Sequence, residues 1–270
     1  MPGSETSLSE PTVISKTRVP KLVASWIRER RPAAVVRFGE GEGRLLVARR
    51  DDPVSMRVAT NKLRRQTGLV LPPEDVLEIG AMVMNALDEA DVVGIRGGES
   101  FSKEHKMWVA RIGAVFAERV AGGRKPAYIA HCLFNNDLRD ALPALLDGQE
   151  RVSVISCRDL APVLRRDYRV PDVNVYQVPS QYVMRGVDSP YEQRLHGMPI
   201  WPDFYRRLRS GLAVRHPGEV FLVGAGIFGK DLCIRVRELG GIALDLGSTL
   251  DGLVGKVTRG AGRPEPYRGE

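Results

Sequence analysis

Seven short apolar runs rich in β-branched residues punctuate the chain: "AAVVRF", "DVVGI", "KPAYIAH", "RVSVISC", "VNVYQVP", "EVFLVGAG" and "IALDLGS". Helix-length amphipathic segments separate most of them, among them "VPKLVASWIRERR", "PPEDVLEIGAMVMNALDEA", "SKEHKMWVARIGAVFAERVAGG" and "KDLCIRVRELGG". Strands that are apolar on every residue are strands buried on both faces, and helix-length spacers are what a parallel crossover needs. The pattern predicts an α/β, Rossmann-like domain, with a largely parallel sheet of about seven strands and helices on both faces. No period of repetition suggests a solenoid. A single domain over residues 17–260 follows, with a disordered tail at 1–16 and a C-terminal tail at 261–270.

Composition narrows the setting. Forty basic residues against 33 acidic ones leave a net charge of +7, which favours anionic partners. The arginines are dispersed and not interleaved with aromatics, so no specific nucleic-acid binding is expected. No apolar run approaches the ~18 residues of a membrane span. The start, "MPGSETSLSEPT", lacks the basic and apolar regions of a signal peptide. Cys132, Cys157 and Cys233 are far apart and form no CxxC pair. Reduced thiols and a cytoplasmic location are the expectation.

In an open parallel sheet the ligand site lies beyond the carboxyl ends of the strands. The segments there are "GEGEG", "RGGES", "HCLFNND", "RDL", "SQY", "GAGIFGK" and "DLGSTLD". Gly224, Gly226 and Gly229 form a G-x-G-x-x-G between a strand and a helix, where backbone can approach a diphosphate. Lys230 could add a point charge there; alternatively the glycines only allow close packing and Lys230 lies in solvent. Asp245 ends the next strand, where a ribose-binding acid would sit. Ser248 and Asp251 could hold ribose or sugar hydroxyls, or Ser248 or Thr249 could cap the last helix. Glu40 and Glu42, two apart in a glycine-rich turn, could anchor Mg²⁺ or Mn²⁺, or could merely open a helix favourably for its dipole. Arg37 could pair with one of them or reach a phosphate. Candidates for a general base are Glu42, Asp245 and His131. The long segment from Ser180 to Pro202 offers Tyr182, Arg185, Tyr191, Glu192, Arg194 and His196 as acceptor contacts or as a lid. Cys157 reads as a buried thiol rather than a nucleophile.

Two segments taken together resemble a known family. "RFGEGE" (Arg37 to Glu42) is similar to the R-[FY]-G-D-G-E signature of GT-D type bacterial glycosyltransferases. "LVGAGIFGKDLCIRVRELGGIALDLGSTLDGLVGKVTRG" resembles the C-terminal block of GT-D-like proteins, including the Thr258–Arg259 pair. The resemblance implies transfer of a sugar from a nucleotide donor such as a UDP-sugar to an acceptor hydroxyl. It implies a divalent metal at an acidic pair, here Glu40 and Glu42, and donor contacts that include Arg259. Glu40 stands where aspartate is usual, which puts the metal in question. Fold resemblance leaves two alternatives open: an NAD(P)- or other nucleotide-dependent enzyme using the GAGIFG loop, and a non-catalytic nucleotide-sugar-binding protein. A homo-oligomer is possible; the acceptor is not specified.

Overall fold

The structure, a computed structural model, describes residues 11–95, 103–123, 126–180, 187 and 189–256. In chain order these form β1 (Thr12–Val13), α1 (Val19–Glu29), β2 (Ala33–Phe38), α2 (Glu40–Leu46), α3 (Pro53–Thr67), α4 (Pro73–Glu89), β3 (Val92–Ile95) and α5 (Lys103–Ala121). There follow β4 (Tyr128–His131), α6 (Phe134–Leu146), β5 (Arg151–Ser156), α7 (Ala161–Asp167), β6 (Asp172–Gln177) and α8 (Pro190–Gln193). The chain continues through α9 (Asp203–Gly211), β7 (Val220–Gly224), α10 (Gly229–Glu238), β8 (Ile242–Asp245) and α11 (Thr249–Leu253).

All eight strands lie in one parallel sheet of order β1-β4-β3-β2-β8-β7-β5-β6. Seven coincide with the apolar runs. The eighth, β1, pairs Thr12 and Val13 with Tyr128 and Ile129 at the sheet edge, inside the segment expected to be a tail. A two-residue edge strand needs no apolar run, and Val13 is 78% exposed, so the sequence pattern carries no trace of it.

Alternate residues of β2 show how the strands serve two layers. Ala34, Val36 and Phe38 pack into one core with side chains from α2, α3, α4, α5, α9 and α10. Ala33 and Val35 face the other core, shared with α1, α6, α7 and α11. Each buried Val, Leu or Phe contributes roughly 1.5–3 kcal/mol of transfer free energy, so the central strands hold both layers together.

Among the described elements, α3 is the long helix that the apolar patterning did not announce; the short α8 lies within the segment read as irregular. The ends of α3 are nevertheless marked: Asp52 Oδ1 accepts from the amides of Val54 and Ser55, Pro53 opens the helix, and Gly68 closes it at φ 76°. Chain order explains the position of the site. From β2 the chain winds outward through β3 and β4, then crosses back to β5 on the other side. The loops after β2, β8, β7 and β5 therefore border a switch point, where such sheets bind ligands.

Candidate functional site

A cavity of about 450 Å³ lies over those strand ends. Its wall includes Arg37, Glu40 and Glu42 after β2, Gly224 and Gly226 after β7, and Asp245, Ser248 and Asp251 after β8. Most of the residues singled out from the sequence thus meet in one place. Lys62, Arg65 and Gln66 complete the wall from α3. They escaped sequence reading because α3 did; its capping signals were the available clue.

The floor is an ionic cluster. Lys230, 5% exposed, places Nζ 2.5 Å from Asp245 Oδ2 and 3.5 Å from Glu42 Oε1. Asp245 Oδ2 also accepts the Arg37 backbone N–H at 3.1 Å, which ties β8 to β2. Lys230 is therefore neither in solvent nor directed only at a ligand: it neutralises two carboxylates of its own chain. Burial pulls its pKa down, but Asp245 and Glu42 outweigh this and raise it. Burial likewise raises the Glu42 carboxyl, and Lys230, Lys62 and backbone N–H groups more than reverse the shift, leaving it below the usual carboxylate range. Asp245, expected to meet a ribose, lies on the cavity wall and is engaged there by Lys230 and the Arg37 amide.

Glu42 resolves the even choice posed by "GEGEG". Its Oε2 accepts the Gly39 amide at 3.0 Å, satisfying an N-terminal donor of α2, while Oε1 faces Lys230. It is a helix start and a pocket residue together. Glu40 occupies the first turn of α2, half-buried on the cavity wall. Gly41 lets the end of the Lys62 side chain lie close by: a Cβ there would meet Lys62 Cε at 2.4 Å, and the lysine would have to shift.

The G-x-G-x-x-G loop divides its duties. A Cβ on Gly224 would meet Leu250 Cδ1 at 2.8 Å and Gly247 O at 3.2 Å, so this glycine serves packing against the α11 turn. Gly226 adopts φ 59°, the left-handed region that favours glycine. Gly229 sits with its Cβ position 3.2 Å from Val223. The amides of Ile227, Gly229 and Lys230 donate to Gln66 Oε1, Gly226 O and Ile227 O, so these three are spent within the protein.

Arg37, at the end of β2, is one of the cations on the cavity wall. Its Nη1 donates to Leu246 O at 3.3 Å, and its buried Nε has no hydrogen-bond partner. It pairs with neither glutamate. The Nε is closed off from solvent, so it is the place of Arg37 on the cavity wall that bears on a ligand.

Around the rim, His131 is not part of the wall; its Nδ1 accepts the Leu133 amide at 3.2 Å, and the neighbouring Cys132 faces the cavity. Ser248 makes no capping bond, and the Thr249 hydroxyl donates to Leu246 O, so neither caps α11 with its side chain. Asp251 is held by Arg158, whose Nε donates to Oδ1 at 2.8 Å. Cys157 is buried, and burial pushes its thiol up to about 11, which suits an inert thiol rather than a nucleophile. Of the acceptor contacts expected between Ser180 and Pro202, Tyr182 and Arg185 lie outside the described residues, as does Arg259. Glu192 is buried between Arg158 and Lys256, and Arg194 lies over the Tyr191 ring. Among the described residues of the segment, Ser180, Met198 and Ile200 line the cavity. His196 contributes indirectly, its Nδ1 2.6 Å from Ser180 Oγ.

No protein-family model and no curated protein sequence matches the chain. Solved structures do. A selenomethionine-substituted structure of domain of unknown function 1792 superposes with a TM-score of 0.52 at 14% identity, covering 89% of this chain and 79% of that one. A structure described as a new glycosyltransferase of that domain from Streptococcus sanguinis gives 0.50 at 15% identity, covering 88% and 81%. The chain shares their fold. At this identity the likeness concerns architecture, and the site must speak through its own residues. Among the described residues no helix is long and apolar enough to cross a membrane.

Proposed function

We propose that the protein is a glycosyltransferase that moves a sugar from a nucleoside diphosphate donor, a UDP-sugar first of all, to an acceptor hydroxyl. The observation that carries this reading is the strand-end cavity itself, which the cationic side chains Arg37, Lys62 and Arg65 line together. Guanidinium and ammonium groups converging on one concave surface suit a diphosphate, and about 450 Å³ lies within the range of small-ligand sites. The shared fold with a protein described as a glycosyltransferase agrees with it.

In the reaction the bond from the sugar C1 to the diphosphate oxygen breaks, and its electron pair stays on the diphosphate. The acceptor oxygen bonds to C1 and gives up its proton. Arg37, Lys62 and Arg65 stabilise the charge that grows on the leaving group. Glu42 and Asp245 are poorly placed to take the proton, since Lys230 engages both. Ser180 at the end of β6 is better placed to serve the acceptor, with His196 hydrogen-bonded behind it. β6 stands three strand spacings from β8, roughly 14 Å, which leaves room for the donor between them.

A divalent metal held by Glu40 and Glu42 does not fit these residues. Both oxygens of Glu42 are engaged, by the Gly39 amide and by Lys230, and the described residues contain no cluster of three His, Cys, Asp or Glu side chains able to hold an ion. A dinucleotide enzyme is disfavoured by the same cluster, because Asp245 is ion-paired and three loop amides are already satisfied.

The test is a thermal-shift and hydrolysis panel of UDP-, GDP- and dTDP-sugars with NAD(P). The expected result is stabilisation by at least one nucleotide sugar and slow release of its sugar to water. Stabilisation by NAD(P) alone would refute the reading; stabilisation by a nucleotide sugar without any turnover would make the protein a binder.

A further inference from the structure

Lys230 has a consequence for the charge of the site that rests on the donor-binding reading. We propose that its ammonium is the resident counter-charge of the pocket, occupying the position between Glu42 and Asp245 that a divalent cation would bridge, so that the protein binds nucleoside diphosphates without metal.

Two features of the floor support this. Glu42 and Asp245 come from different strand ends, yet both turn a carboxylate oxygen onto one nitrogen, at 3.5 and 2.5 Å. That is the arrangement by which two acidic side chains hold a small cation, with an ammonium at its centre. All three groups are shut away from solvent, their side chains 7%, 13% and 3% exposed for Lys230, Glu42 and Asp245. A hydrated ion entering beside Lys230 would bring a second cation into contact with it, at a cost that the same carboxylates would have to offset.

The cluster also lessens the negative charge that the floor sets against the cations lining the cavity. With Glu42 and Asp245 neutralised from below and Asp251 matched by Arg158, the field of Arg37, Lys62 and Arg65 is less opposed by the chain's own acids. A diphosphate then finds positive charge without an ion as intermediary.

Removal of Lys230 should reverse the situation. In Lys230→Met the two carboxylates lose their shared cation and acquire the means to bind a metal. The experiment uses the full chain, MnCl₂ against excess EDTA, and UDP as probe. For the unaltered protein, Mn²⁺ should leave the melting temperature unchanged and the UDP affinity within about twofold. For Lys230→Met, Mn²⁺ should raise the melting temperature, and UDP should bind at least about tenfold more weakly in EDTA than to the unaltered protein. A melting temperature of the unaltered protein that climbs with Mn²⁺, or a tenfold gain in UDP affinity on adding it, would overturn the inference. Should Lys230→Met fail to fold, these two readings on the unaltered protein still decide the matter. Absence of UDP binding under every condition would sink the donor-binding reading instead, while the Mn²⁺ melting curves would still judge the role of Lys230.

Discussion

Arg158→Met is expected to destabilise the protein by about 3–5 kcal/mol, the usual result of removing one partner from a buried ion pair. Arg158 is fully buried beside the cavity and joins three pieces of chain. Its own amide donates to Ser156 Oγ at 3.1 Å, Nε reaches Asp251 Oδ1 at 2.8 Å, and Nη1 reaches Glu192 Oε1 at 2.7 Å. Glu192 Oε2 accepts from Lys256 Nζ at 2.9 Å, and the same residue closes a capping box with Ser189. Methionine matches part of the stem but leaves Asp251 and Glu192 short of a partner in a dry setting. The melting temperature should fall by an amount on the order of 10 °C.

The same cluster has a signature in acid. Burial raises the Glu192 carboxyl, but hydrogen bonds from Arg158 and Lys256 dominate and hold it at about 2, below its ordinary 4.5. A carboxyl depressed in the folded state contributes stability above its unfolded pKa, and that contribution is lost as pH falls through the folded one. The unaltered protein should therefore lose this part of its stability between about pH 4.5 and 2. Arg158→Met should show a shallower slope in that window when melting curves are taken across it. An unchanged melting temperature in the variant would show that the cluster is not structural.

His196→Ala carries the largest expected effect on chemistry. If Ser180 passes the acceptor proton to His196, then the proton of the acceptor O–H moves to Ser180 Oγ as the Ser180 proton moves to Nδ1. Positioned proton acceptors contribute about 10²–10⁴ in rate. Donor hydrolysis by the variant should fall by that factor, with donor affinity unchanged because His196 is not on the cavity wall. Added imidazole should restore part of the rate, which a merely structural histidine would not allow. Equal rates in the two proteins would remove the pair from the mechanism.

Much of this was legible before any coordinates. Fully apolar, β-branched runs such as "AAVVRF" and "VFLVG" mark strands covered on both faces, because only that environment tolerates them. Strand-end placement then gathered Arg37, Glu42, Gly226 and Asp245 into one cavity. What stayed hidden was the pairing across the sheet. Lys230 meets Asp245 after 15 residues but meets Glu42 across most of the chain, and no local pattern encodes where a flexible four-carbon stem ends. Lys62 was invisible for a different reason: the helix that carries it has a strongly polar face, so its caps signal it better than its apolar residues do. The glycines of the GAGIFG loop combine two duties, since Gly224 and Gly226 line the cavity and Gly224 also gives room for packing. Their spacing suits a diphosphate, yet Gly224 is required by the approach of Leu250.

Arg37 bears the central claim. Calorimetric titration of UDP into the unaltered protein and into Arg37→Met measures whether its guanidinium, on the cavity wall, donates to the diphosphate. A charged hydrogen bond of this kind is worth about 1.5–3 kcal/mol, so the variant should bind UDP roughly 10- to 100-fold more weakly. Equal affinity in the two proteins would contradict the account.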